Sequence, residues 1–291
     1  MIIRDGTDNL LAKDGTKLYG GSENDILTTH AEGYGYNTLY GGAGDDQLSA
    51  ERLGNKLYGD AGNDTLNLDG GNSTLYGGTG DDTLEADSAD TDNPNFLYGG
   101  DDNDVLTAHG DGNKLYGDAG NDMLNADGSN NTLYGGSGND TLTGSGSENY
   151  LFGGAGSDIL TATDGDGNQL AGGTWNDTMT GGSGEDYFIF DLRGGVDHIT
   201  NFTSGLDHIA LTSAIVTELG GIDALSEGAF YVDAVAVAGH DADDRLIFNS
   251  TTHTLYYDAD GNGEAKAVKI AVLDMNGGVT PTLAYTDFIF G

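Results

Sequence analysis

The stretch LYGGSGNDTL at residues 133–142 recurs, with modest changes, along the first two-thirds of the chain. Aligned on the first glycine of the pattern, the copies begin at Gly20, Gly41, Gly59, Gly77, Gly99, Gly117, Gly135, Gly153 and Gly172. Successive steps are 21, 18, 18, 22, 18, 18, 18 and 19 residues, which makes an 18-residue unit with two short insertions. Such a period admits few folds. One unit is too small to bury a core alone, and only stacked neighbours can do it.

Each unit carries two apolar positions flanked by polar or aromatic residues, the period-two pattern of a half-buried strand. One row is Leu18, Leu39, Leu57, Leu75, Leu97, Leu115, Leu133, Leu151 and Leu170. The other is Leu27, Leu48, Leu66, Leu84, Leu106, Leu124, Leu142, Leu160 and Met179. Two short strands and two turns make one coil, and stacking buries both rows between two parallel sheets. The turn on one side holds a recurrent asparagine: Asn37, Asn55, Asn95, Asn113, Asn131, Asn149 and Asn168. Asparagine tolerates left-handed backbone and bonds its own turn, so this row reads as structural. Both insertions, HAEGYGYN and ADSADTDNPN, fall on that side.

The other turn reads G-G-x-G-x-D. Its sixth position is Asp25, Asp46, Asp64, Asp82, Asp104, Asp122, Asp140, Asp158 and Asp177, without exception. The fifth also bears oxygen: Asn24, Asp45, Asn63, Asp81, Asn103, Asn121, Asn139, Ser157 and Asn176. Glycines let such a turn point its carbonyls inward. With coils about 4.8 Å apart, adjacent turns form cages of oxygen, and many flexible oxygen ligands suit Ca²⁺. Composition agrees. The chain has 48 acidic and 10 basic residues, a formal charge of −38, which opposes a compact state unless cations neutralise it. The same balance argues against a nucleic-acid partner. No cysteine is present, so disulfides and thiolate chemistry are excluded. No apolar run reaches membrane-spanning length.

These turns resemble the nonapeptide G-G-x-G-x-D-x-(apolar)-x of RTX, or haemolysin-type calcium-binding, proteins over about residues 18–190. The resemblance implies a right-handed parallel β-roll whose ligands are turn carbonyls and motif aspartates. The motif here occupies one side of the coil, which implies a single cation row. Nine turns leave eight gaps, hence about eight Ca²⁺ ions. Asp60 and Asp118 depart from glycine at position two, and Glu23, Asp102 and Trp175 depart at position four. A degraded first repeat places Asp8 as an equivalent aspartate, and GGSGEDYFIF at 181–190 falls on the opposite side, closing the roll. Trp175 is expected to pack against the next domain.

The expected organisation is an all-β chain: a calcium-binding β-roll at 1–186 and a mostly β domain at 187–291. The run DYFIFDLRGGVDHITNFTSGLDHIALTS resembles the segment after the roll in type I-secreted exoproteins, and TDFIFG resembles their C-terminal export signals. The N-terminus lacks a secretory signal pattern, as that route would require. DADGNG at 258–263 reads as a hairpin loop, because an EF-hand needs glutamate where Lys269 stands.

No catalytic motif occurs, and the six histidines are dispersed. His30 and His109 hold equivalent positions about 19 Å apart, too far to share a metal. Catalysis is not expected. An outward stripe of Tyr19, Tyr40, Tyr58, Tyr76, Tyr98, Tyr116, Tyr134 and Phe152 reads as a stacking ladder, with a polysaccharide-binding platform as the functional alternative. The chain therefore reads as a secreted calcium-binding protein that folds on meeting extracellular Ca²⁺ after passing a type I secretion apparatus. Two alternatives stand beside this reading. One is the secretion and folding module of a larger enzyme whose catalytic domain lies upstream. The other is an adhesin that uses the tyrosine stripe.

Overall fold

The fold comes from a computed structural model that describes residues 2–3, 9–12, 15–29, 35–87, 93–190, 195–212, 225–274 and 283–290. Asp8, His30 and parts of both insertions lie outside the described residues. The chain divides into two units, 1–150 and 151–291.

In the first unit, the strands Lys17–Gly21, Thr38–Ala43, Lys56–Ala61, Thr74–Thr79, Phe96–Asp101, Lys114–Ala119 and Thr132–Ser137 form one parallel sheet, preceded by Ile2–Ile3. The second sheet holds Ile26–Thr29, Gln47–Glu51, Thr65–Asp69, Thr83–Asp87, Val105–His109, Met123–Asp127 and Thr141–Ser145, preceded by Asn9–Ala12. Register is leucine to leucine in both sheets, because a slip of one residue would turn every leucine outward. The leucines of both rows are fully buried. Strands of the first sheet run on into the glycines of the calcium-type turn, so Gly21 pairs with Gly42. They are therefore longer than the three residues around each leucine.

In the second unit, Gln169–Thr174, Tyr187–Phe190, His208–Leu211 and the C-terminal Phe288–Phe290 extend a parallel ladder. Ile159–Ala162, Thr178–Thr180, Asp197–Thr200 and Val268–Leu273 form the other. Coil-type ladders thus persist past Asp186 through residues whose sequence has lost the period. Among the described residues there are about 12 turns, against nine counted from the motif. Strand pairing needs only extended backbone and an inward apolar residue, which Phe188, Ile199 and Ile209 supply. The antiparallel strands Leu246–Asn249, Thr254–Tyr257 and Val268–Leu273 follow, and DADGNG connects the last two as a hairpin loop.

Backbone shape at the irregular turns explains why they hold. Glycines at motif positions two and four have positive φ, for instance Gly42 at 117° and Gly44 at 108°. Asp60, Asp118, Asp102 and Trp175 take the same left-handed region at 75°, 72°, 78° and 86°. Neighbouring coils thus impose the turn at a cost of about 1–3 kcal/mol for each such residue. Glu23 is not left-handed, so its turn alone among these yields. Asp102→Gly is accordingly expected to stabilise the calcium-loaded protein by about 1 kcal/mol, while Glu23→Gly gives no gain. Urea titration in saturating calcium measures both, and equal shifts would show that no strain is held at Asp102.

Candidate metal centre

The sixth-position aspartates are buried side chains on the inside of the turn, at most 2 % exposed. In the first unit each Oδ1 accepts the backbone N–H of the preceding coil's aspartate at 2.7–2.8 Å, from Asp25 N–H to Asp46 through Asp122 N–H to Asp140. In the second unit Asp158 donates to Asp177 at 2.8 Å and Asp177 to Asp197 at 3.1 Å. The ladder therefore includes Asp197, which the sequence reading missed. Its signal was the preceding GGV, a motif shortened by the lost period.

The second carboxylate oxygen is the informative one. Oδ2 of Asp46, Asp64, Asp82, Asp104, Asp122 and Asp177 is buried and receives no hydrogen bond. It lies against the Cα of its own motif's first glycine, where a Cβ would overlap it at Gly20, Gly41, Gly59, Gly77, Gly99, Gly117, Gly153 and Gly172. The next coil's glycine carbonyl converges on the same point: Gly59 O stands 2.8 Å from a Cβ built on Gly41, and Gly77 O 2.6 Å from one on Gly59. Acceptors thus face acceptors in a space only glycine leaves open. A buried acceptor without a donor is costly, and here the cost recurs in successive coils from Asp46 to Asp122.

The opposite turn shows how the same position can be satisfied without a cation, although Asn131 Nδ2 is itself left without a partner among the described residues. Asn37, Asn55, Asn95, Asn113 and Asn131 are buried and form an equivalent ladder, in which Oδ1 accepts the preceding coil's N–H. Ser73 fills the one gap with its hydroxyl. Asparagine, however, ends in an amide. Asn55 Nδ2 donates to the carbonyls of Glu51 and Arg52, and Asn113 Nδ2 to that of Gly110 at 3.0 Å. Further on the row turns acidic, yet Asp186 Oδ2 accepts Gly182 N–H at 2.6 Å and Asp207 Oδ2 accepts Thr203 N–H at 2.7 Å. GGSGED at 181–186 therefore lies on the asparagine side as expected, but its carboxylate is satisfied by its own turn. The roll does not close there, since Tyr187–Phe190 pairs onward with His208–Leu211.

Electrostatics follow from this geometry. Burial, reinforced by neighbouring carboxylates, pushes Asp46 and Asp64 up to about 6, Asp82 to about 7 and Asp104 to about 8. Asp122 rises to about 6 for the same reasons and Asp177 to about 6 through burial. Glycine carbonyls and paired carboxylates are hard oxygen donors, the set Ca²⁺ prefers, and among the described residues no nitrogen or sulfur ligand is at hand. The residues fit the ion that the motif implies.

The fifth-position residues are placed differently. Asn24, Asp45, Asn63, Asp81, Asn103 and Asn121 form a separate, exposed ladder, each Oδ1 accepting the next coil's fifth-position N–H at 2.8–3.0 Å. Asn176 does the same for Val196 at 2.7 Å. Those side-chain oxygens knit the surface of the turn and are not brought to the buried point. Trp175 is 69 % exposed, because its left-handed backbone turns the ring outward. The expected packing against a following domain is not made among the described residues. Tyr19 through Tyr134 stack face to face, with centroids 4.8–5.0 Å apart and planes within 9°. Ring faces are thereby used up within the ladder, and edges are what solvent meets.

Among the described residues no helix is long and apolar enough to cross a membrane. A search of curated proteins finds no significant match. The model of the RTX calcium-binding nonapeptide repeat matches residues 33–52, 54–90, 91–124, 125–160 and 162–192, more than half of the chain. A parallel β-solenoid, a row of buried aspartates with orphaned oxygens from Asp46 to Asp122 and at Asp177, and that match agree, and the chain belongs to the RTX calcium-binding nonapeptide-repeat family.

Proposed function

We propose that this protein is exported unfolded and folds on binding calcium outside the cell, the ions serving as the missing donors of the aspartate row. The observation that carries this reading is the repeated buried Oδ2 with no hydrogen-bond donor. In a low-calcium compartment those oxygens repel each other across leucine layers two residues thick. Millimolar calcium turns the repulsion into attraction at each gap. Type I export fits the same logic. Phe288–Phe290, in the tail that resembles an export signal, is a strand paired with His208–Leu211. Asp287 before it is buried, its carboxylate accepting Ser204 Oγ–H at 2.7 Å and Gly205 N–H at 2.9 Å. An exporter that reads this tail must meet the chain before it folds.

Co-expression with a type I exporter tests the proposal. The full chain is expected in the medium, and removal of residues 187–291 is expected to retain it in the cell while the first unit still binds calcium. Efficient export of the shortened chain would refute the route and leave calcium-driven folding standing.

A further inference from the structure

Outside the aspartate row, the described residues contain a cluster in the first unit that joins an imidazole to carboxylates. The last residues of successive strands in the second sheet stand in register as Glu51, Asp69, Asp87, His109, Asp127 and Ser145. Like charges opposed across strands destabilise a sheet, and His109 interrupts the row. Its ring nitrogens face different neighbours. Nε2 is 3.7 Å from Asp87 Oδ1 and Nδ1 is 3.6 Å from Asp127 Oδ2. Both separations exceed a hydrogen bond. Glu85, two residues before Asp87 on the same face, brings a third ligand: ligand atoms of Glu85, Asp87 and His109 all lie within 4.8 Å of one another. On the far side of the ring, Ser145 Oγ–H donates to Asp127 Oδ1 at 2.7 Å, which leaves Oδ2 facing the ring's Nδ1.

Nε2 of His109 thus stands with the carboxylates of Glu85 and Asp87 close enough to share one ion. We propose that Glu85, Asp87 and His109 form a surface site for a borderline divalent ion, Zn²⁺, with Asp127 as the positioning residue that fixes the imidazole tautomer. A carboxylate behind a histidine is the usual outer support of such a ligand. The site differs in kind from the calcium cages: its nitrogen selects zinc-like ions, whereas the cages offer oxygen alone. Its backbone is rigid, because all three ligands sit on paired strands, and the chain's negative field concentrates divalent cations nearby. Water completes the coordination on the open face.

The test uses the full chain in saturating calcium, with Zn²⁺ added by calorimetric titration and circular dichroism confirming the fold of each variant. The wild type is expected to bind about one more zinc ion than His109→Gln, and Asp127→Asn to keep that ion with about tenfold weaker affinity. Cu²⁺ as a paramagnetic probe is expected to show coupling to one imidazole nitrogen, absent in His109→Gln. Equal zinc stoichiometry and affinity in wild type and His109→Gln would overturn the site. So would a His109 ring that zinc leaves unperturbed in NMR while acid protonates it, for it would then be only a counter-ion to Asp87 and Asp127.

Discussion

In chelator at about pH 8 the β signal in circular dichroism is expected to collapse, and lowering the pH to about 4 in the same chelator is expected to restore it. The reason lies in the buried row. Without a cation, burial and neighbouring charge raise Asp46 and Asp64 to about 6, Asp82 to about 7 and Asp104 to about 8, against an ordinary value of 3.8. Between the ordinary and raised values the folded state holds more protons than the unfolded state. Stability from these groups is therefore complete below 3.8 and is lost as the pH climbs through 6 to 8. A shift of about two units corresponds to about 3 kcal/mol. A few such carboxylates together rival the roughly 5–15 kcal/mol that holds a domain folded. Calcium replaces the proton, so its affinity should rise with pH and its binding should release protons. A sedimentation control separates refolding from aggregation at acid pH. A roll with the same β signal in chelator at about pH 8 as in calcium would show that the ion is incidental to the fold.

Replacing Asp104 by alanine and by asparagine should give opposite results in chelator. Alanine removes the acceptor of the Asp82 N–H, which now bonds Asp104 Oδ1 at 2.8 Å. It also removes a calcium ligand, and both losses act on two neighbouring coils, since a solenoid is stabilised pairwise. An expected cost of about 2–4 kcal/mol in calcium follows from the orphaned N–H and the weakened cage. Asparagine keeps Oδ1 and replaces the orphaned Oδ2 with a donor, as Asn55 and Asn113 do across the coil. Asp104→Asn should therefore lose calcium at that cage yet exceed the wild type in chelator at about pH 8 by roughly 2 kcal/mol. Asp25→Ala, near the N-terminal end, should only fray that end. Denaturant titrations with and without calcium decide the matter. Equal destabilisation by Asp104→Ala and Asp104→Asn in chelator would mean that the second oxygen carries no penalty.

The leucine rows, the asparagine row and the aspartate row were legible because each depends on spacing along one coil. Covalent geometry makes a residue repeated about every 18 residues land at the same place on every coil, whichever coil is above it. Chemistry within a turn was equally local: glycines where φ must be positive, an aspartate where the loop turns inward. What escaped the sequence depends on neighbours that stacking supplies. Asp197 joins the ladder because its strand lies over Thr178–Thr180, a pairing that no local motif encodes. The fifth-position residues looked like ligands by type, yet the next coil's N–H groups claim their oxygens. GGSGED has the calcium sequence, but in its turn Gly182 N–H reaches the carboxylate and satisfies it. Asp102 and Trp175 depart from the glycine of the motif, yet the coils on either side hold them left-handed. His109 seemed too far from another histidine to matter, whereas register sets it between Asp87 and Asp127. Sequence alone determined that this chain stacks into a roll and that one side of it wants cations. Tertiary structure decided which oxygens are left without a donor, because satisfaction of a buried polar group is settled by the backbone lying one coil away.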